Sequence, residues 1–266
     1  MNEYEKALNE TEEKEKEFIS TQEEIAIGIY AGIKSINGVF IDLASVGNKL
    51  SVVEANKFNR LSQYVNDVYT ELDKLKINIP EFDNYLREVA DINFERTTEA
   101  LSDLLDGNSL DLTVNEYDDL VNTIFKNNSI NNNIARAKIK FSQEVRQSIA
   151  SNKGIRDLNS RTKKIVEEVT NNNSTIVRTQ TTKTMNNTRE LTFKKANEIS
   201  EKEIGKVWIS RRDEKVRASH KSLDNGIAIK LNKAFDNGLM YPGDPSGSVS
   251  EVANCRCELE HKVIES

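Results

Sequence analysis

The chain has 266 residues and few of the residue types that staple or bend a fold: two cysteines, three prolines, two histidines and one tryptophan. Two cysteines make no disulfide framework. Cys255 and Cys257 stand one residue apart, a spacing that bridges poorly and suits a reducing compartment. So little proline leaves room for long uninterrupted helices. No run approaches the ~18 uncharged apolar residues of a membrane span. The most apolar stretch, 25–33, is followed at once by Lys34, so no stable membrane span is expected. The first residues are acidic, without the basic segment of a secretory signal. Also missing are the glycine-rich dinucleotide fingerprint, the P-loop, the H-E-x-x-H helix and the nucleophile elbow.

Charge is plentiful and unevenly placed. Residues 1–24 carry a net of −6, residues 25–133 a net of −8, residues 134–217 a net of +10, and the remainder −2. Such segregation points to a partner of opposite sign for the middle block, or to attraction between the two halves of the chain. The middle block falls on segments with helical spacing. Its bases Arg156, Arg161, Lys163, Lys164, Arg178, Lys183, Arg189, Lys194 and Lys195 are the candidates for non-specific contact with double-stranded DNA. No zinc finger, recognition-helix signature or aromatic RNA motif accompanies them, so sequence reading is not expected.

Periodicity orders the rest. Residues 1–24 read as an acidic polar leader, solvated or frayed. Residues 25–126 read as a helical domain. Within it, Gly28 and Gly32 share one helix face and invite close approach of a second backbone. Tyr64, Val65, Val68, Tyr69 and Leu72 form an amphipathic stripe. Pro80 opens the next helix, and Thr113 with Glu116 forms a capping box. The helices of 48–126 are expected to bury one shared core. An asparagine-rich linker follows at 127–133, then a basic helical region at 134–205 with a second linker at 171–174, where Ser174 is a candidate N-cap. The last segment, 206–266, alternates at 206–210 and 227–231 around a turn at 224–226, with a closing strand at 257–264. The fold class expected is α+β, mostly helical up to a small mixed C-terminal domain.

That last segment holds both histidines, both cysteines, the tryptophan and two of the prolines. His220, Cys255, Cys257 and His261 are the only four soft ligands in the chain, and zinc takes four. The alternative is that the cysteines pack as small apolar groups and the histidines hydrogen-bond. No cofactor other than such a zinc ion is expected.

Trp208, Asp213, Arg217, His220, the loop Pro242-Gly243-Asp244-Pro245 and the run Asn254-Cys255-Arg256-Cys257 resemble, in order and spacing, the C-terminal domain of the Mu F-like phage head morphogenesis (minor head) proteins. The resemblance covers roughly 175–262, a third of the chain. It implies a minor head protein of a tailed double-stranded DNA phage, made in the host cytoplasm and carried inside the head. Such a protein assists assembly and genome packaging, retention or delivery by binding the portal protein or inner capsid. It also implies that the motif residues hold the domain together. Two other readings stay open: a transferase or toxin-type enzyme, because His220, Tyr241 and Glu251 occur in an order similar to some ADP-ribosyltransferases, and a purely structural virion protein without DNA contact.

Overall fold

The computed structural model describes residues 1–47, 49–111, 113, 115–116 and 129–264, with the backbone alone described at 129–131. Its elements in chain order are α1 (Glu3–Ala44), β1 (Ser45–Val46), β2 (Lys49–Leu50), α2 (Val52–Asn56), α3 (Arg60–Asp73), α4 (Ile79–Ala100), α5 (Ser102–Leu105), α6 (Ser129–Ala150), α7 (Ile155–Ile199), β3 (Ile204–Ile209), α8 (Ala218–Lys221), β4 (Ile229–Lys230), α9 (Val249–Val252) and β5 (Glu258–Val263). Helix accounts for 67% of the structure, and the larger sheet lies in the C-terminal region, which is the expected α+β class.

The chain divides into two compact units, and the division cuts across sequence order. One unit takes 1–18, 79–126 and 175–266; the other takes 19–78 and 127–174. The helices of 48–126 therefore do not share one core. Tyr64, Val68 and Leu72 of α3 pack in one core, while Leu101 and Leu105 pack in the other. An amphipathic stripe states that a helix buries a face; it does not state against what.

The unit of 19–78 and 127–174 is helical. The buried face of α1 within it is Ala26, Ile29, Ile33, Asn37 and Phe40, a spacing of three and four. Gly28 is on the opposite, exposed side, where an added methyl group would meet nothing, so the expected close approach at Gly28 and Gly32 does not occur at Gly28. The stripe predicted on α6, Ile134, Phe141, Val145 and Ile149, is buried in the same core. Tyr64 stacks on Phe40 with ring centres 4.0 Å apart and donates to Asn37 Oδ1 at 2.6 Å, so the fully buried amide is satisfied. By length and composition α1 is the one described helix that could cross a membrane, and a third of its most apolar window is buried inside the protein.

The asparagine run at 171–174 is not a linker. It lies inside α7, 45 residues long. Asn173 Nδ2 donates to the Leu75 carbonyl at 2.8 Å, and Ser174 Oγ donates back to the Thr170 carbonyl rather than capping a new helix. Most of the 127–133 stretch likewise belongs to α6, which starts at Ser129.

The other unit is built on a three-stranded antiparallel sheet, β4-β3-β5. Trp208 faces Leu259 and Lys206 faces His261 across β3 and β5. Trp208, Phe235, Phe193, Leu223, Leu239, Cys255, Cys257 and Leu259 share its core. The leader is part of this core, not a frayed end: Tyr4 and Ala7 are buried on the first turns of α1, and Tyr4 sits in the same apolar cluster. Thr113 and Glu116 make their reciprocal cap, with Thr113 N donating to Glu116 Oε2 at 2.7 Å and Glu116 N to Thr113 Oγ1 at 3.3 Å. The short helix expected after it lies outside the described residues.

The second half of α7 has a face that is buried and polar. Thr179, Thr182, Asn186 and Arg189 follow a spacing of three, four and three, so they line one side of the helix. That side reads the backbone leading into β5. Thr179 Oγ1 accepts from Asn254 N at 3.0 Å, and Thr182 Oγ1 donates to the Cys255 carbonyl at 2.6 Å. Asn186 donates to the Cys257 carbonyl at 3.1 Å and accepts from Leu259 N at 2.7 Å; Arg189 reaches the Leu259 carbonyl at 3.2 Å. Helix side chains thus satisfy the edge of the sheet that no strand covers.

Candidate functional site

The motif residues converge in this unit. Gly243 holds φ +85° in the turn of the Pro-Gly-Asp-Pro loop, and a side chain there would press on the Lys183 backbone at 3.0 Å. Glycine is required at that position both by the backbone angle and by the close approach. The Asp244 carboxylate caps its own loop, accepting from Met240 N at 2.8 Å and Ser246 N at 2.9 Å. Asp213 pairs with Arg256 through two contacts, 2.8 and 2.7 Å. Arg217 donates to the Ala253 carbonyl. These contacts join the segment after β3 to the turn before β5.

Between them lies the chemical centre. His220, on the one-turn helix α8, directs Nδ1 at both sulfurs: 3.6 Å to Cys255 Sγ and 3.5 Å to Cys257 Sγ. Its other nitrogen, Nε2, is 2.9 Å from Glu251 Oε2, and Ser219 Oγ donates to the same carboxylate at 3.2 Å. The C-x-C spacing brings both sulfurs to one side because alternate side chains of an extended segment share a face. The three residues are 1%, 1% and 2% exposed. Hydrogen bonding from Cys257, aided by His220 against the cost of burial, pulls the Cys255 thiol down to about 5. Its neighbour Cys257 moves up, because the Cys255 bond and burial both favour its proton. Burial lowers the affinity of His220 for a proton, but Cys255 and Glu251 outweigh it and the net shift is upward.

His261 does not join the other three. Its Nδ1 is 2.5 Å from the Tyr4 hydroxyl, and its ring packs against Tyr4 and Phe193. The sequence placed it on the same face as the cysteines. Four residues along a strand is nonetheless about 13 Å of travel, beyond reach of a site at Cys257.

The basic candidates separate into three groups. Lys183 and Arg189 are buried. Burial pulls Lys183 down to about 8, offset in part by Asp244; Arg189 pairs with Glu258 at 3.1 Å. These two are no part of a DNA-facing surface in this fold. Arg161 pairs with Asp157 and Glu144, Lys163 with Glu167, Arg178 with Glu15, Lys194 with Glu190 and Lys195 with Glu116. The last two, Arg156 and Lys164, have no such partner among the described residues, and both are exposed.

Residues 139–260 match the family model described as phage Mu protein F like protein. The C-terminal domain is Mu F-like. The match starts well before residue 175, so it takes in most of α6 and all of α7 as well as the sheet. No curated protein and no solved structure matches the chain. This likeness of the C-terminal domain suggests a phage head morphogenesis protein. Sequence reasoning found the motif but missed Glu251 as the partner of His220, and it missed the polar stripe of α7. An alternation of Thr, Asn and Arg at helical spacing was the available signal for the stripe.

Proposed function

We propose that this chain is a minor head protein of a tailed double-stranded DNA phage, made in the host cytoplasm and carried in the virion, where it binds the portal or the inner capsid. The Mu F-like match over 139–260 carries this reading. Two structural observations support action by protein contacts rather than by catalysis. The histidine and both thiols are buried, and Tyr241 with them, so two of the set His220, Tyr241 and Glu251 are closed to solvent. In addition, the segment 46–58 leaves Val46, Val52, Val53 and Phe58 exposed, Phe58 by 83%, apolar surface of the kind that protein partners cover.

In this proposal DNA contact is secondary and confined to the exposed face of α7 that bears Arg156, Lys163 and Lys164. Most other candidate bases already have carboxylate partners within the protein.

Composition of purified particles tests the proposal. Particles banded on a gradient and treated with nuclease should contain this chain at a small fraction of the major capsid protein, in DNA-filled heads. Its absence from them, with the chain recovered only from the free protein of the lysate, would overturn the reading.

A further inference from the structure

We propose that His220, Cys255 and Cys257 hold a divalent metal ion of the zinc class, bound through Nδ1 and two thiolates, as a structural clamp inside the Mu F-like domain. The inference goes beyond the proposed function and does not depend on it.

The donor geometry is the first argument. Zinc–sulfur and zinc–nitrogen bonds of about 2.3 and 2.0–2.1 Å at tetrahedral angles place sulfur and nitrogen about 3.6 Å apart. The structure has 3.6 and 3.5 Å from Nδ1 to the two sulfurs, and all three donor atoms lie within 4.8 Å of one another. Hydrogen bonding alone accounts poorly for this convergence. A neutral imidazole has one lone pair on Nδ1, and two sulfurs approach it.

The surroundings are the second argument. Nε2 is held by Glu251, so Nε2 carries the hydrogen and Nδ1 is left free to ligate, the carboxylate–histidine arrangement that fixes a metal-binding ring. The Trp208 ring stands edge-on to His220 with centres 5.0 Å apart. Its indole N–H is buried and has no hydrogen-bond acceptor among the described residues. A metal-bound thiolate at Cys257 is the acceptor that this donor lacks. Two thiolates and one imidazole are a soft set, which selects zinc over magnesium or calcium.

Among the described residues no fourth histidine, cysteine or carboxylate completes the cluster, so the fourth place falls to water. Both thiols lose their protons when the ion binds, and those protons pass to solvent. The ion would tie α8 to the turn before β5, the same two segments that Arg217 and the Asp213–Arg256 pair already join.

The test uses the full chain, reduced and purified without chelator from zinc-supplemented medium. About one equivalent of zinc per chain is expected, and cobalt substitution should give thiolate-to-cobalt absorption in the near ultraviolet. Cys255→Ser and Cys257→Ser should each abolish that absorption, while His261→Gln should keep it. Less than about a tenth of an equivalent of zinc, with no cobalt spectrum from the reduced wild-type chain, would overturn the proposal. So would a cobalt spectrum unchanged in Cys255→Ser and Cys257→Ser. Because the wild-type measurement needs no substitution, a variant that fails to fold does not protect the proposal.

Discussion

Arg189→Met should destabilise the sheet-bearing unit by about 3–5 kcal/mol, the cost of leaving a buried charge without its partner. Arg189 is fully buried and donates to Glu258 at 3.1 Å, to Asn93 Oδ1 at 3.0 Å and to the carbonyls of Leu259 and Tyr4 at 3.2 and 3.4 Å. Its guanidinium also sits 5.1 Å from the centre of the Tyr4 ring. Thus one side chain joins α7, α4, β5 and the first turn of α1. Methionine keeps the volume but leaves the Glu258 carboxylate in the core without its partner, and takes the donor from Asn93 Oδ1 and the Leu259 carbonyl. The double variant Arg189→Met with Glu258→Met should recover most of the loss, because an apolar pair of similar size carries no desolvation cost. Trp208 is the single tryptophan and lies in this unit, so urea unfolding followed by its fluorescence reads the change. A loss under about 1 kcal/mol for the single variant would show that the pair is not buried as described.

The second large effect is expected at Asn186. Its side chain occupies the place of a neighbouring strand, donating to Cys257 and accepting from Leu259. Asn186→Ala orphans one buried N–H and one buried carbonyl, at a cost of about 1–3 kcal/mol each, so a loss of about 2–6 kcal/mol is expected. Hydrogen exchange gives the specific readout: the Leu259 amide should lose protection more than amides on the β3 side of the sheet. Unchanged protection of Leu259 in a folded Asn186→Ala chain would contradict the helix-to-strand contact.

These two residues show where the sequence was legible. The stripes on α3 and α6 declared themselves because their partners are apolar, and periodicity of apolar residues is what the eye and the moment detect. The α7 stripe did not, because its partner is a strand backbone, which is answered by threonine, asparagine and arginine. Polarity of that kind reads as a solvated helix or, at Asn171-Asn172-Asn173, as a linker. The leader hides its buried face for a related reason: Tyr4, Ala7 and Thr11 keep helical spacing, but the buried set contains a small and a polar residue among nine acids. The motif made the C-terminal strands and the His220–cysteine group legible. Its fourth supposed ligand failed on distance along the strand.

The +10 charge of the middle block is where sequence and structure diverge with most consequence for function. Counted along the chain, it looks like a DNA-binding surface. In the folded chain, Arg178 meets Glu15, Arg211 meets Glu12, Lys195 meets Glu116 and Lys138 meets Asp73, so acids of the first half neutralise bases of the second. In the proposed function this charge is largely spent within the protein. Binding of the purified full chain to random duplex DNA, followed from about 50 to 200 mM salt, tests that claim directly. With DNA contact confined to the α7 face that bears Arg156, Lys163 and Lys164, log K should fall against log salt with a slope of magnitude about 2–4. A slope of magnitude about 6–10, with tight binding at the lower salt, would contradict the account and make the basic block a genome-binding surface.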